Sequence, residues 1–385
     1  MGQAVFEPLL SIGPRVRKSP FFEATRRHGA RAFTVYNHMY MPTVYTDPVD
    51  EYWKLVEGVT LWDVACERQI EVTGPDAARF VQYLTPRNLS RLRVGAGLYV
   101  LLTAEDGGIV NDAVLLRLEE QRFWLSPGDG DALLWAQGAA LHSGMQVGVA
   151  EPDVSPLQLQ GPRSPEVARV LFGDPVLELG YYRLRETRLE GIPLVVARTG
   201  WSGEVGFEIY LRDASRGDEL WERVMAAGRP WQIAPIAPST IRSVEGGLLS
   251  YVSDIRREDD PLTLGLERLV DLEQEADFIG KAALRRIAAE GAKRRLVGLE
   301  IDGEPLAAGN DGFWPVHGAD GARGHVTRCV HSPRLKKNIG LANVPAAIAA
   351  PGTVLDIDAP DGRRGARVVP TPFVESKRKL LRPDS

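Results

Sequence analysis

Cysteine is almost missing from this chain. Its 385 residues include two, Cys66 and Cys329, which are too few and too far apart in sequence for a disulfide framework or a zinc site. Long hydrophobic runs are missing too. No apolar stretch approaches the roughly 20 residues needed to span a bilayer, so a helical membrane span is not expected. Charge of one sign is also lacking: 46 Lys and Arg stand against 51 Asp and Glu, a net charge of -5. A mildly acidic chain is poorly suited to gripping phosphates, so a nucleic-acid partner is not expected. The opening MGQAVFEPLLSIGPRVRKS carries an early acid and puts its basic residues after the apolar stretch. That is the reverse of a secretory signal, and Phe6 stands where myristoylation needs Ser or Thr. These features predict a cytoplasmic, soluble protein.

The usual catalytic signatures are absent as well. There is no P-loop, no G-x-G-x-x-G fingerprint, no G-x-S-x-G elbow and no H-E-x-x-H pair. Six histidines occur, of which His325 and His331 flank Cys329. Three ligands fall short of a closed tetrahedral site, so a structural reading is preferred and no metal is expected. The chemistry therefore rests on a bound organic cofactor, or there is none.

What is present is an ordinary globular composition, 44% hydrophobic and 25% charged, in a length that suits two or three domains. A polar-aromatic cluster, YNHMYMPTVY, runs from Tyr36 to Tyr45. VDEYWKLVEG has a helical pattern stopped by Gly58. GLYVLLTAEDGGIVNDAVLLRLEEQRFWLSP predicts a three-stranded meander with turns at Asp106-Gly107-Gly108 and Glu119-Glu120. Strands and helices alternate irregularly to about residue 290, which predicts an α+β region over 1–290 with two subdomains. From Ala292 short strands follow one another between Gly and Pro turns. This predicts an all-β domain over 291–385, a small barrel or a jelly roll.

Four segments together resemble the folate-dependent aminomethyltransferase family, the T-protein of glycine cleavage and its relatives. They are DGGIVNDAVLL from Asp106, LQLQGPRS from Leu157, RTGWSGEVGFEIYL from Arg198, and IRSVEGGLLSYVSDI from Ile241. The resemblance covers nearly the whole chain in order. TVYNHMYMP, WDVACERQIEV, FWLSPGDGDALLWAQG and VEGGLLSY resemble the branch that demethylates dimethylsulfoniopropionate. The resemblance implies a three-domain cloverleaf around a folate channel with a β-rich third domain. It also implies a tetrahydrofolate-dependent enzyme that takes a methyl group from a small sulfonium zwitterion. An O- or N-demethylase of another small donor, or a folate-binding protein without turnover, stands as the alternative. Nothing in the sequence reads as an obligate subunit interface.

The same resemblance assigns roles. Glu208 accepts the adjacent N–H and amino donors of a pterin in bidentate fashion. Trp201 stacks on the cofactor, Tyr99 is grouped with it, and Arg328 is a candidate for the glutamate tail of folate. Asn111 and Asp112 occupy an acid pair of the family, so both are placed at the catalytic position. An amide at Asn111 cannot exchange a proton as a carboxylate does, which favours methyl over aminomethyl transfer. Tyr36, Trp62, Tyr181 and Tyr182 are the aromatic candidates for holding a cationic donor.

Overall fold

The computed structural model describes residues 10–379. A mixed sheet, an antiparallel sheet and a closed barrel make up the main body of the fold. A six-stranded sheet is ordered Leu184–Leu189, Ile192–Ala197, Gly206–Leu211, Ser155–Gln160, Thr60–Asp63, Ala234–Pro235. Its pairings are antiparallel except the last. A five-stranded antiparallel sheet is ordered Ala96–Thr103, Ile109–Glu119, Arg122–Pro127, Ile70–Thr73, Gly148–Ala150. Its first three strands are the meander expected from the sequence, with turns at the expected places.

Alternation decides which faces meet. Along Ile109–Glu119 every second residue from Ile109 to Leu115 is buried, the period-2 pattern of a strand covered on one face. Leu116, Leu118 and Trp124 of the five-stranded sheet pack on Val195, Ala197 and Tyr210 of the six-stranded one. The Trp124 and Tyr210 rings lie 5.9 Å apart. Full burial of such side chains contributes about 2–3 kcal/mol each, so the two sheets are held in a fixed relation across the site.

The helix Pro48–Glu57 shows how local chemistry anchors the frame. Asp47 caps it by accepting from the N–H groups of Val49 and Asp50, and Pro48 sits in its first turn, where a missing N–H costs nothing. Buried Glu51 accepts from the backbone N–H groups of Tyr45, Thr46 and Ala237. The third unit is a closed six-stranded barrel, Arg294–Ile301, Lys337–Pro345, Arg323–Ser332, Trp314–His317, Val354–Ala359, Gly362–Val369. Among the described residues no helix is long and apolar enough to cross a membrane, and no group of His, Cys, Asp or Glu is placed to hold a metal.

Candidate active site

Glu208 lies on an inner strand whose six residues are all buried. The register puts Gln158 directly across from it. Gln158 Nε2 donates to Glu208 Oε1 at 2.9 Å. Tyr210, two residues on and therefore on the same face, donates its hydroxyl to Oε2 at 2.8 Å, and the Thr199 hydroxyl donates to the same oxygen. Burial pushes the carboxyl above its ordinary range, and these three donors oppose that shift. Oε2 thus has both lone pairs engaged and Oε1 keeps one acceptor direction. A bidentate hold on a donor pair therefore requires Thr199 or Tyr210 to turn its hydroxyl away.

Trp201 is tied to the same network. Its backbone N–H donates to Gln158 Oε1 at 3.2 Å and its indole N–H to the Leu249 carbonyl at 3.1 Å. The Arg328 guanidinium sits over the indole at 5.8 Å. Arg328 is otherwise fully engaged: Nε reaches Asp254 at 2.7 Å, Nη1 reaches Ser243 at 2.8 Å and Nη2 reaches the Leu248 carbonyl at 2.5 Å. The expectation that it faces a ligand tail gives way to a positioning role beneath Trp201.

Asn111 and Asp112 separate. Neighbours on a strand point to opposite faces, and here they serve different ends. Asn111, with no exposed surface, donates from its amide to the Asp129 carbonyl and accepts from the Gly128 N–H, each at 2.8 Å. Its amide is consumed in holding the Gly128–Gly130 loop, which corrects the catalytic expectation for this residue. Asp112 accepts the Tyr99 hydroxyl on Oδ2 at 2.9 Å. Its Oδ1 is buried without a hydrogen-bond partner. Burial pushes this carboxyl up to about 6, against the lowering effect of Tyr99.

A two-residue hairpin tip is fastened to the loop that neighbours Asp112. Ala32–Tyr36 pairs with Met39–Val44, and Asn37 and His38 between them have φ of 49° and 62°. A two-residue I′ connection needs positive φ at both positions, which Asn and His tolerate better than most residues. Asn37 fastens the tip to the loop below. Its N–H donates to Asp129 Oδ1 at 2.7 Å and its amide to the Gly128 carbonyl at 2.8 Å. Burial, helped by the field of Cys66, Asp112, Glu67 and Asp129, pushes the Tyr36 phenol well up.

Glu67 completes the cluster, and sequence reading passed it over. It stands between the strands Thr60–Asp63 and Ile70–Thr73. Ser126 donates to its Oε2 at 2.9 Å. Burial and the charges of Glu208 and Asp112 push this carboxyl well above its ordinary range. Gln158, Thr199 and Tyr210 were likewise not singled out. Their only signal in the sequence is adjacency to Glu208 in strand register, which requires the strand order to be known.

The remaining aromatic candidates divide. The Tyr181 and Tyr182 rings pack edge to face 4.5 Å apart, both within the field of Glu208, and Tyr182 acts on Tyr99. Trp62 is 1% exposed, bonds Thr60 through its indole N–H at 2.8 Å, and packs among Tyr52, Leu55, Ile241 and Val330. Its ring is buried between the sheet and the barrel.

With this geometry in view, the likeness to known proteins is informative. The GCVT N-terminal domain matches residues 21–274, and the glycine cleavage T-protein C-terminal barrel domain matches residues 294–375. The chain is 39% identical over 363 residues to "Dimethylsulfoniopropionate demethylase DmdA" of Ruegeria pomeroyi, covering 94% of this chain and 98% of that one. It is 33% identical to an "Aminomethyltransferase" of Symbiobacterium thermophilum, with 94% and 98% covered. The crystal structure of the glycine cleavage system aminomethyltransferase T from Bartonella henselae superposes with a TM-score of 0.84 at 26% identity, covering 94% of this chain and 99% of that one. The chain belongs to the glycine-cleavage T-protein family, and it does so over both the N-terminal region and the barrel.

Proposed function

We propose that this protein is a tetrahydrofolate-dependent demethylase whose donor is dimethylsulfoniopropionate or a close sulfonium zwitterion. The observation that carries the reading is the half-satisfied carboxyl of Asp112, with Oδ2 on Tyr99 and Oδ1 buried without a partner. It joins an end-to-end likeness to a protein named for that demethylation. A cytoplasmic setting belongs to the same proposal.

The residues present fit the cofactor. Glu208 offers an acceptor direction to a pterin N–H or amino group, and Tyr99, Tyr181, Tyr182 and Trp201 supply flat faces around it. Bound tetrahydrofolate supplies a nucleophilic N5 that accepts the methyl group and ends as 5-methyltetrahydrofolate. A sulfonium leaves as a neutral thioether, so no acid is needed at the leaving group. The protein's tasks are alignment, exclusion of water and removal of one proton. Alignment alone is worth up to about 7–11 kcal/mol of barrier. Asp112 is suited to take the proton released at the acceptor nitrogen, because its Oδ1 has no other partner and its carboxyl titrates near 6.

The test is an anaerobic incubation of the purified protein with tetrahydrofolate and dimethylsulfoniopropionate, following both products by mass. Formation of 5-methyltetrahydrofolate and the thioether 3-methylthiopropionate in equal amounts is the expected result. Folate binding without either product would overturn the donor assignment and direct screening to ethers and betaines.

A further inference from the structure

We propose that Asp254 is a positioning residue for methyl transfer: it fastens the turn 248–255 to the barrel, and that turn sets both Trp201 and the Asp112 carboxyl. The proposal rests on the folate reading above, which assigns those two groups to the reaction. The turn meets the site at two points. The Leu249 carbonyl accepts the Trp201 indole N–H at 3.1 Å. Tyr251 lies against Gly128, where an added methyl group would stand 2.9 Å from the Tyr251 Cβ and 3.0 Å from Asp112 Oδ1. Both atoms therefore crowd a single point, and only a residue without Cβ passes between them. The oxygen concerned is the one that has no hydrogen-bond partner among the described residues.

The turn carries strain. Val252 has a φ of 72°, a region that β-branched residues avoid. It is 55% exposed, so burial does not offset the cost. Such a backbone persists where its surroundings over-determine it. Asp254, 1% exposed, is bonded from two sides. Its Oδ2 accepts the Ser250 N–H at 2.9 Å, inside the turn. From the barrel, Thr327 Oγ1 donates to Oδ1 at 2.6 Å and Arg328 Nε to Oδ2 at 2.7 Å. Arg328 Nη2 also reaches the Leu248 carbonyl, where the turn begins.

The barrel is shaped for this grip. Neighbours on a regular strand point to opposite faces, yet Thr327 and Arg328 bond one carboxylate. The pairing of their strand with Lys337–Pro345 slips between Val326 and Arg328, and a bulge of that kind re-aims a side chain. The bonds of Glu208 to Gln158, Thr199 and Tyr210 do not involve the turn. Releasing Asp254 therefore spares the carboxylate assigned to the pterin and disturbs alignment, whose loss falls on the chemical step.

The experiment measures turnover and tetrahydrofolate affinity on the full-length protein, with dimethylsulfoniopropionate as donor. Asp254→Asn keeps the shape and removes the charge that pairs with Arg328. Its kcat should fall by about ten- to a hundredfold, with tetrahydrofolate Kd and donor KM within about threefold of the wild type. Thr327→Val keeps the ion pair and should give a several-fold loss of kcat, which serves if Asp254→Asn does not fold. Ser243→Ala removes the Arg328 bond that lies outside the turn and should leave kcat unchanged. Adding Val252→Gly to Asp254→Asn relieves the strained position and should return part of the lost kcat. A folded Asp254→Asn or Thr327→Val protein with wild-type kcat overturns the proposal. So does a loss equally large in Ser243→Ala, one confined to tetrahydrofolate affinity, or a double variant with no recovery. A wild type without turnover overturns the functional reading and the proposal with it.

Discussion

Gln158 Nε2 lies 2.9 Å from Glu208 Oε1 across adjacent strands, while Gln158 Oε1 accepts the backbone N–H of Trp201. One side chain thus fixes both the carboxylate assigned to the pterin and the loop that carries the indole. Glu208→Gln is expected to weaken tetrahydrofolate binding by about tenfold or more, since charge-assisted bonds contribute roughly twice as much as neutral ones. The fold should persist, because the substitution removes a buried charge. Fluorescence titration checks the first point and thermal unfolding the second. Unchanged folate affinity would remove Glu208 from the cofactor site.

Asp112 makes the account sensitive to pH. Its folded carboxyl, pushed up to about 6, binds a proton more tightly than in the unfolded chain, where about 3.9 is normal. Stability therefore falls as pH rises from about 4 to 6, and the full cost, about 3 kcal/mol, is present above 6. Asp112→Asn should be more stable than wild type at pH 8, with the difference shrinking toward pH 4. Denaturant unfolding at the two pH values measures this. In turnover, kcat/KM should rise through pH 6 in the wild type, and the variant should lose activity with no such rise.

Asn111→Asp is expected to harm the protein. A carboxylate there loses the donor to the Asp129 carbonyl and places two oxygens against each other in the interior. An unmet buried group costs about 1–3 kcal/mol. The loss should be visible in the unfolding midpoint, with no gain in methyl transfer. A large gain would mean that the acceptor nitrogen needs a base at this position.

The hairpin latch can be tested without straining the turn. Asn37→Gly keeps the positive φ of 49° and removes the amide bond to the Gly128 carbonyl. KM for the donor should rise several-fold, with stability changed by about 1 kcal/mol or less. Steady-state kinetics with varied donor checks it, and an unchanged KM would show that the tip does not govern the donor pocket.

Arg242 and Glu204 form an ion pair at 2.8 Å with both side chains removed from solvent. Breaking one partner of such a pair costs about 3–5 kcal/mol. Arg242→Met should therefore lower the unfolding midpoint and release the Trp201 loop, whereas a combined Arg242→Met, Glu204→Leu protein should regain most of the loss. A double-mutant cycle by chemical denaturation measures the coupling.

Much of this frame was legible because it depends on local pattern. The meander from Gly97 to Pro127, the helix ended by Gly58 and the change to short strands after Ala292 all follow from period and turn residues. Candidate site residues could be named mainly where a motif stood, as at Glu208 and Asp112. What stayed hidden depended on register and burial. Nothing local to Asn111 says that its amide serves the Gly128 loop, since that loop approaches only through the pairing of Ile109–Glu119 with Arg122–Pro127. That Trp62 stands across from Gln158 and is covered by the barrel likewise depends on strand order and packing. Glu67 lies among residues typical of a connecting loop, and only the fold brings it to Ser126.

The central claim is direct methyl transfer from a sulfonium to tetrahydrofolate. Its most direct test uses dimethylsulfoniopropionate with fully deuterated S-methyl groups, under anaerobic conditions, and reads the mass of the folate product. The account predicts 5-methyltetrahydrofolate retaining all three deuterium atoms of one methyl group. Folate product without that intact label, or none from a protein that binds tetrahydrofolate, would contradict it.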